Sequence, residues 1–524
     1  MPKFLRESAL LLLILAAAFI FRFWQIGTLP GGLFPDEAAN GLDINSIFAG
    51  DRQPFYERGN GREALFFYVI ALVVKLFGRG DWQHHVVSAG FGFFAVVALY
   101  FLVRRMFGKN TALLAAFFMA VSSYAVTVTR TAFRANMVPL LSILAIFFVV
   151  KFFQEKDVRT KHISAALAGL CFALGFYTYT SFRMMLPLAV GFALLLLLAN
   201  RDKLKKIFFK YWRYKLMAGI VFVLASFPLA NYFFHHPASI VGRAGQVSIF
   251  SPDLNHGDLL GTFLGVFKTT MLAFFTQGDL NWRHNVAGHP FLSPLLSPLF
   301  AVALIIFTVA GFQLLAQVWE KKINTQTLFM ALTAAWFWLM LVPEITTAEG
   351  IPHGLRLIGV IPALFILPAW LADKIWQKMK KLDRGDVKVL VAVVFLAGIF
   401  FYNFYLYFGV AASSPEYYYA FRSDLTVVSD YLNARNSKNQ TYLALDKFSV
   451  QTVDYLTTET NNPYQLLVPE KAYAVRLKKG DQIIFTQSSL FDRLKFLEHH
   501  PEARLMREEQ NKFGQIIMLV YQNP

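Results

Sequence analysis

Cysteine and charge are what this chain has least of. Among its 524 residues Cys171 is the single cysteine, so an internal disulfide and a cysteine-based metal site are both excluded. Charged residues make up only 16% of the chain, against about 25% in soluble proteins. Hydrophobic residues reach 56% and aromatic residues 16%. Because a soluble globule of this composition would offer water too little polar surface, the composition predicts a membrane protein.

The common nucleotide-binding and zinc-binding motifs are also missing. The sequence contains no P-loop and no G-x-G-x-x-G fingerprint, and its histidines lack the i, i+4 spacing of a helical zinc motif. Nucleotide chemistry therefore has no visible site. The sequence predicts no cofactor and no protein-bound metal, although it leaves a divalent metal open.

Long apolar segments are what the chain has in abundance. The first, from about Ser8 to Ile26, lacks the short core and the small-residue cleavage site of a signal peptide, which indicates an uncleaved anchor. The shorter segment 65–78 is predicted to be an interfacial helix. Ten further spans are predicted near 86–103, 111–128, 138–151, 163–176, 185–199, 216–234, 294–318, 326–342, 357–372 and 389–408. The expected fold is an all-α polytopic bundle of about 11 transmembrane helices with outer interfacial helices.

The basic residues indicate the orientation of these spans. The net charge is +17, and alternate connections (1–7, 104–110, 152–162, 200–215, 319–325 and 373–388) carry 23 basic and only 8 acidic residues. By the positive-inside rule these connections and the N-terminus are cytoplasmic, in a cell (plasma) membrane protein. The rest of the chain has 27 basic and 25 acidic residues, so the excess charge reflects topology and no nucleic-acid partner is expected.

An odd number of spans places the loops 27–85 and 235–293 and the C-terminal segment on the outer side. Residues 409–524 alternate helical patterns, at 421–435 and 489–500, with strand-like runs. The runs are Thr441 to Leu445, Gln482 to Thr486 and Gln515 to Tyr521. The sequence therefore predicts two domains: a transmembrane domain over 1–408, and a small extracytoplasmic α/β domain over 409–524.

A pair of carboxylates lies in the first outer loop, where Asp36 and Glu37 follow Pro35. A structural interpretation makes Asp36 a helix N-cap with Glu37 in the first turn, but the full capping box would need Glu or Gln where Ala39 stands. A functional interpretation makes Asp36 a general base that takes a proton from an acceptor hydroxyl. The residues alone leave both interpretations open.

Basic residues recur at the outer ends of the helices, where the positive-inside rule does not require them. Each could anchor its helix at the interface by snorkelling, or could hold an anion such as a lipid phosphate. The predicted substrate-binding residues are Arg62, Glu63, Arg134, Arg183, His353 and Arg356.

Taken together, the loop with Pro35-Asp36-Glu37 and the segment from Arg62-Glu63 to Tyr68 resemble the integral-membrane GT-C glycosyltransferases. The nearest type is that of the protein O-mannosyltransferases and aminoarabinose transferases. The segment Pro352-His353-Gly354-Leu355-Arg356 and the residues after the second span are compatible with that pattern. The resemblance covers roughly residues 1–400.

The resemblance implies transfer of a sugar from a polyprenyl-phosphate carrier to an acceptor at the outer face, with inversion. Asp36 would be the catalytic base and Glu37 its supporting carboxylate, while Arg62 would meet the carrier phosphate. His353 or Arg356 would lie near the donor head. The match has departures that leave the acceptor undefined: Ala39 replaces a basic residue of the aminoarabinose transferases, and Arg62-Glu63-Ala64 stands for their Lys-Pro-Pro. The loop 235–293 is also too short for the inserted domain of eukaryotic mannosyltransferases.

The sequence thus predicts a polyprenyl-phosphate-sugar-dependent glycosyltransferase, moving a hexosyl or pentosyl group, with Asp36 as base. Its expected partners are a lipid-linked sugar donor, a lipid, glycan or protein acceptor, and membrane lipids. The alternative is a transporter or flippase of a lipid-linked sugar or polysaccharide. A third interpretation makes the outer domain a binding module anchored by the spans, although eleven spans exceed what anchoring needs.

Overall fold

A computed structural model describes residues 3–59, 61–240, 247–380, 385–435, 439–460 and 463–524. Most of these residues are helical. The α-helices are α1 (Lys3–Phe23), α2 (Pro35–Phe48), α3 (Leu65–Phe77), α4 (Trp82–Phe107), α5 (Lys109–Val121), α6 (Ser123–Arg130), α7 (Met137–Gln154), α8 (Val158–Gly175), α9 (Met185–Ala199), α10 (Leu204–His235), α11 (Pro252–Asn255), α12 (Leu259–Leu272), α13 (Ser297–Trp319), α14 (Thr325–Ile345), α15 (Ile361–Met379), α16 (Gly385–Phe404), α17 (Pro415–Ala420), α18 (Ser423–Ala434), α19 (Val450–Leu456) and α20 (Arg493–His499). The strands are β1 (Phe55–Tyr56), β2 (Arg62–Glu63), β3 (Thr441–Ala444), β4 (Tyr464–Leu467), β5 (Gln482–Thr486), β6 (Arg504–Gln510) and β7 (Ile516–Gln522).

Within the described ranges, eight helices are long and apolar enough to cross a membrane: α4, α7, α9, α10, α13, α14, α15 and α16. The bent pair α5 and α6 makes a ninth when it is counted as one span. All nine lie where spans were predicted. The helices α1 and α8 occupy the other two predicted positions but are not among these nine, so the number eleven stays a prediction. The segment predicted to be interfacial forms the short apolar helix α3.

By its internal contacts the chain divides into two compact units. The first unit contains residues 1–24, 53–66 and 86–411, and the second contains 25–52, 67–85 and 412–524. The second unit therefore joins the C-terminal segment with the loop residues that carry Asp36 and Glu37. The predicted boundary between residues 408 and 409 separates two independent domains, and it stays a prediction.

The first unit contains a break that the sequence did not predict. The helices α5 and α6 meet at an angle of 57°, within the predicted single span 111–128. Ser122 begins the second helix by accepting the N–H of Ala125 at 3.3 Å. The carbonyls of Met119 and Ala120, which the break leaves without helical partners, accept hydrogen bonds from the buried Arg22 at 3.1 and 2.8 Å.

A second buried arginine makes a similar contact in the other direction, from α6 to α1. Arg130, at the end of α6, donates to the carbonyl of Phe21 at 3.2 Å and lies 5.2 Å from the ring centroid of Tyr407. Both arginines thus satisfy backbone carbonyls where helices end, which is how charged groups are tolerated in an apolar bundle.

The second unit contains a five-stranded sheet with the order β4-β3-β5-β7-β6. The strands β3, β4 and β5 are parallel, and β7 pairs antiparallel with β5 and β6. One layer of the core packs α18 and α19 on the sheet through Leu425, Val428, Val453 and Ile484. The other layer packs Phe496 of α20 on Phe485 and Leu519. The predicted α/β character of the C-terminal segment is confirmed, whereas its outer location stays a prediction.

Candidate functional site

A short hairpin in the first unit positions Arg62 and Glu63. The strand β2 pairs with β1, with Glu63 opposite Phe55. Gly61 precedes the pair at φ +84°, and an added Cβ there would lie 2.4 Å from the Phe55 ring, so only glycine fits this turn. Both side chains of β2 are buried, and Arg62 donates its Nε–H to the carbonyl of Arg58 at 3.1 Å.

Glu63 brings together two of the predicted arginines. Its Oε2 accepts the Nε–H of Arg134 at 2.9 Å, and its Oε1 lies 4.0 Å from the guanidinium of Arg183. The Arg134 guanidinium also lies 5.5 Å from the ring centroid of Tyr179. One buried carboxylate thus faces two cations, one of which is partly exposed, so this group (the Glu63 cluster: Glu63, Arg134, Arg183 and Tyr179) has positive charge left for an anion.

His353 and Arg356 lie in the first unit around a different carboxylate, which the sequence did not single out. The buried Glu344, at the end of α14, accepts the backbone N–H of His353 at 2.8 Å. Its Oε2 lies 3.8 Å from the guanidinium of Arg356, which also donates to the carbonyl of Glu349 at 2.6 Å. Burial raises the pKa of the Tyr179 phenol, and the charges of Arg134, Arg356, Glu63 and Glu344 also act on it. Tyr179 is therefore within electrostatic reach of both arginine–carboxylate groups.

A third carboxylate organises the neighbouring loops. Asp279 Oδ2 accepts the Nδ1–H of His284 at 2.9 Å and the backbone N–H of Gly354 at 2.8 Å. The rings of His284 and His353 contact each other with centroids 4.3 Å apart and their planes tilted by 33°. No side chain fits at Gly354, where a Cβ would lie 2.8 Å from the carbonyl oxygen of His284.

Within the described parts of the chain, the side chains of Asp279, His284 and His353 are also the group that could hold a metal ion. The ligand atoms of Asp279, His284 and His353 all lie within 4.8 Å of one another. The hydrogen bond to Asp279 fixes the His284 tautomer and leaves its Nε2 as the acceptor. Sequence spacing could not reveal this trio, because 69 residues separate its two histidines.

We expect acidification to destabilise the protein through these histidines. Burial lowers the pKa of His284 and lowers that of His353 well below its usual range, and the charges of Arg283 and Arg356 lower both further. The hydrogen bond and charge of Asp279 oppose the shift only at His284. Because the unfolded chain takes up protons near pH 6.5 and the folded chain does not, stability falls as the pH drops below 6.5. Each histidine contributes a slope of up to about 1.4 kcal/mol per pH unit.

The measurement is the unfolding midpoint in detergent at pH 7, 6 and 5, for the unmodified protein and for His353→Gln. The variant lacks one of the titrating groups, so its midpoint is expected to fall less steeply. Parallel curves would contradict the assignment of this pH dependence to His353.

Asp36 and Glu37 belong to the second unit, where they begin α2. The helix is capped by Phe34 and starts with Pro35, so Asp36 is its second residue, and the interpretation of Asp36 as the N-cap is wrong. Glu37 supplies half of a capping box two residues earlier than the sequence suggested, because its Oε2 accepts the Phe34 N–H at 2.8 Å. Its other oxygen lies 3.4 Å from Nε2 of the buried His85.

The two carboxylates therefore differ in environment. Glu37 is fully buried and held on both oxygens, whereas Asp36 is exposed at the start of the helix. The buried, fixed carboxylate of Glu37 is suited to stabilising the loop, and the exposed carboxylate of Asp36 is suited to contact with a substrate. His85 was not among the predicted site residues. His85 lies at the start of a helix, 48 positions after Glu37 in the chain. No local feature of the sequence therefore indicates that the two side chains meet.

Residues 64–230 match the family described as dolichyl-phosphate-mannose-protein mannosyltransferase. The match includes Arg134 and Arg183 but begins directly after Glu63. Over 202 residues the chain is 26% identical to a Bacillus subtilis (strain 168) protein provisionally named the mannosyltransferase YycA. That alignment covers 38% of this chain and 29% of the length of its relative.

Two solved structures resemble the whole chain. The crystal structure of ArnT from Cupriavidus metallidurans bound to undecaprenyl phosphate matches with a TM-score of 0.56 and 14% identity, over 99% of this chain and 98% of that one. The oligosaccharyltransferase AglB from Archaeoglobus fulgidus, in complex with an inhibitory peptide and a dolichol-phosphate, matches with a TM-score of 0.52 and 10% identity. That match covers 99% of this chain and 74% of AglB. At these identities the likeness concerns the fold, which the chain shares with ArnT and AglB. Together with the family match over residues 64–230, it confirms the predicted resemblance to the GT-C glycosyltransferases of the protein O-mannosyltransferase and aminoarabinose-transferase type.

Proposed function

We propose that this protein is a glycosyltransferase that moves a sugar from a polyprenyl-phosphate carrier to an acceptor hydroxyl at the outer membrane face, with inversion. The observation that carries the proposal is the Glu63 cluster, in which one buried carboxylate holds two arginines and leaves positive charge for an anion. The proposal places the N-terminus in the cytoplasm and the C-terminal segment outside a plasma membrane.

The reaction follows from the chemistry of these groups. The acceptor oxygen attacks the anomeric carbon of the sugar as the bond from that carbon to the phosphate oxygen breaks. The electron pair of the broken bond leaves on the lipid phosphate, and Asp36 takes the proton of the acceptor hydroxyl. One displacement gives inversion.

The arginines stabilise the departing anion. Charge on the phosphate oxygen grows in the transition state, and Arg134 and Arg183, with Arg62, supply fixed cationic donors to it. Arg356 and His353 are assigned to the sugar or its phosphate. Two features support the assignment: the fold is shared with proteins solved with undecaprenyl phosphate and dolichol-phosphate, and the matched family is named for a lipid-phosphate sugar donor.

The deciding experiment reconstitutes the purified protein in liposomes with a radiolabelled polyprenyl-phosphate hexose or pentose and an extract of cell-envelope lipids and glycans. Formation of a labelled product, with free polyprenyl phosphate released in equal amount, is the expected result. Movement of the labelled lipid across the bilayer without product would replace this proposal with a transporter.

We expect the transfer to proceed without a resident divalent metal. The leaving phosphate departs as an anion that arginines already stabilise, so the reaction needs no further cation. Dialysis against a chelator is therefore expected to leave the transfer rate unchanged within about twofold. Loss of activity that returns with Zn²⁺, Mn²⁺ or Mg²⁺ would contradict this, and retention of that metal by His353→Asn would then exclude the trio as its site.

A further inference from the structure

The helix that carries the assigned base packs directly on the C-terminal segment. Within the second unit, Leu33, Ala38 and Tyr455 form a fully buried apolar cluster, with Leu42 and Leu456 packed against it. Ala38 lies in the first turn of α2, two residues after Asp36, and Tyr455 lies near the end of α19. The contact therefore reaches the turn of α2 that presents Asp36.

Gly41 allows this close approach. A Cβ at this position would lie 2.4 Å from Cδ2 and 2.5 Å from Cε2 of Tyr455, a separation that real Cβ atoms do not adopt. Glycine inside a helix costs about 1 kcal/mol relative to alanine, so its presence in α2 needs a reason. The Tyr455 ring, pressed onto the helix backbone, supplies that reason.

Polar contacts fix both ends of α2 to the same segment. Thr452 donates its hydroxyl to the carbonyl of Leu33 at 2.9 Å, just before the helix begins. Near the other end, the side-chain amide of Asn45 donates to Thr458 Oγ1 at 3.2 Å. Arg79 donates to Asn45 Oδ1 at 2.7 Å and lies 4.8 Å from the ring centroid of Tyr455. With its two ends tied, the helix has one position relative to α19.

The supporting carboxylate, Glu37, is held by the start of α4. Glu37 lies beside His85, and the ring of the neighbouring His84 packs edge-on against Tyr455 with centroids 5.1 Å apart. All four side chains (Glu37, His84, His85 and Tyr455) are buried. The first turn of α2 is thus enclosed by α19 and by the start of α4.

We propose that Tyr455 is a positioning residue for Asp36, and that the C-terminal segment takes part in the transfer by fixing the first turn of α2. The inference rests on the proposed role of Asp36. A displacement of about 1 Å at a reacting group can lower the rate by on the order of 10²-fold. A shift of α2 relative to α19 is therefore expected to lower kcat while the donor still binds.

The kinetic test compares Gly41→Ala, Tyr455→Ala, Tyr455→Phe and the double variant Gly41→Ala/Tyr455→Ala. Gly41→Ala is expected to lower kcat by about 10² with donor KM changed less than about threefold. Tyr455→Phe keeps the ring and is expected to keep kcat. In the double variant the added methyl group enters the space that the ring leaves, so kcat is expected to exceed that of Gly41→Ala alone.

Two matched controls show that the effects belong to this contact. Gly90→Ala changes a glycine inside α4 with nothing within 4 Å of the added methyl group, and Tyr473→Ala removes another tyrosine of the C-terminal segment, one that packs on His499 and Lys495. Both controls are expected to keep kcat. Equal loss in Gly41→Ala and in the double variant, or no loss in any variant while Asp36→Asn is inactive, would overturn the inference and leave the proposed function standing.

A second measurement needs no transfer activity. The single native cysteine, Cys171, is buried, so in a Cys171→Ser background Asp36→Cys gives one exposed thiol on α2. Its alkylation rate is expected to change when Gly41→Ala is added and to return when Tyr455→Ala is added as well. An unchanged rate across all three would overturn the positioning role, whether or not the proteoliposome assay yields a product.

Discussion

Replacing Asp36 with asparagine is expected to lower the rate of sugar transfer by about 10² to 10⁴-fold in reconstituted membranes. This is the usual contribution of a positioned general base. The side chain keeps its size and its exposed place at the start of α2, but the amide cannot accept the proton of the acceptor hydroxyl. The expected variant therefore folds, binds the lipid-linked donor and fails in the chemical step, so kcat falls more than the donor KM rises.

The control for this variant is Asp51→Asn. Asp51 is exposed and belongs to the same loop segment of the second unit, so its replacement removes the same charge from the same part of the chain. It is expected to change the transfer rate by less than twofold. Full activity of Asp36→Asn would exclude Asp36 as the base, and equal loss in both variants would indicate a general effect of charge.

The sequence predicted the long apolar helices and three of the five C-terminal strands because their signals are local. The strand β5 begins and ends where the alternating pattern did, and β3 and β7 lie within one residue of their predicted bounds. The edge strand β6 was missed because its exposed residues, Arg504–Gln510, show no apolar alternation. The break at Ser122 was missed because no proline marks it, and the carbonyls that it leaves without helical partners are satisfied by Arg22, about 97 positions earlier.

In the candidate site, too, the residues with a local signal were predicted and the long-range contacts were not. Glu63, Arg134 and Arg183 were among the residues predicted from the sequence, whereas Tyr179 and the pairing of Glu63 with Arg134 across 71 positions were not. Asp279 and His85 were missed because they gain their roles from Gly354 and Glu37, 75 and 48 positions away. Glu344 was missed because no local signal shows that the following loop turns back to place His353 and Arg356 beside it. Tyr455 lies about 410 positions beyond Gly41, and only the folded chain shows why a glycine is needed in α2.

The second large effect is expected at Arg134. Arg134→Ala should lower transfer by about 10² to 10³-fold, the loss that follows removal of one donor from a developing anion. Lysine is not expected to rescue it, because an ammonium cannot reproduce the guanidinium that bonds Glu63 and faces the Tyr179 ring.

Loss of activity in Arg134→Ala has a second cause to separate, because among the described residues the variant leaves the buried Glu63 facing the more distant Arg183. An uncompensated buried charge costs about 3 to 5 kcal/mol of stability. Adding Glu63→Gln removes that charge, so the double variant is expected to regain its unfolding midpoint while transfer stays low. Arg105→Ala is the matched control: Arg105 also bonds a glutamate, Glu155, at 2.9 Å, but this pair is partly exposed and is expected to contribute little. If Glu63→Gln restored transfer together with stability, Arg134 would be a structural partner of Glu63 and the phosphate would have to bind elsewhere.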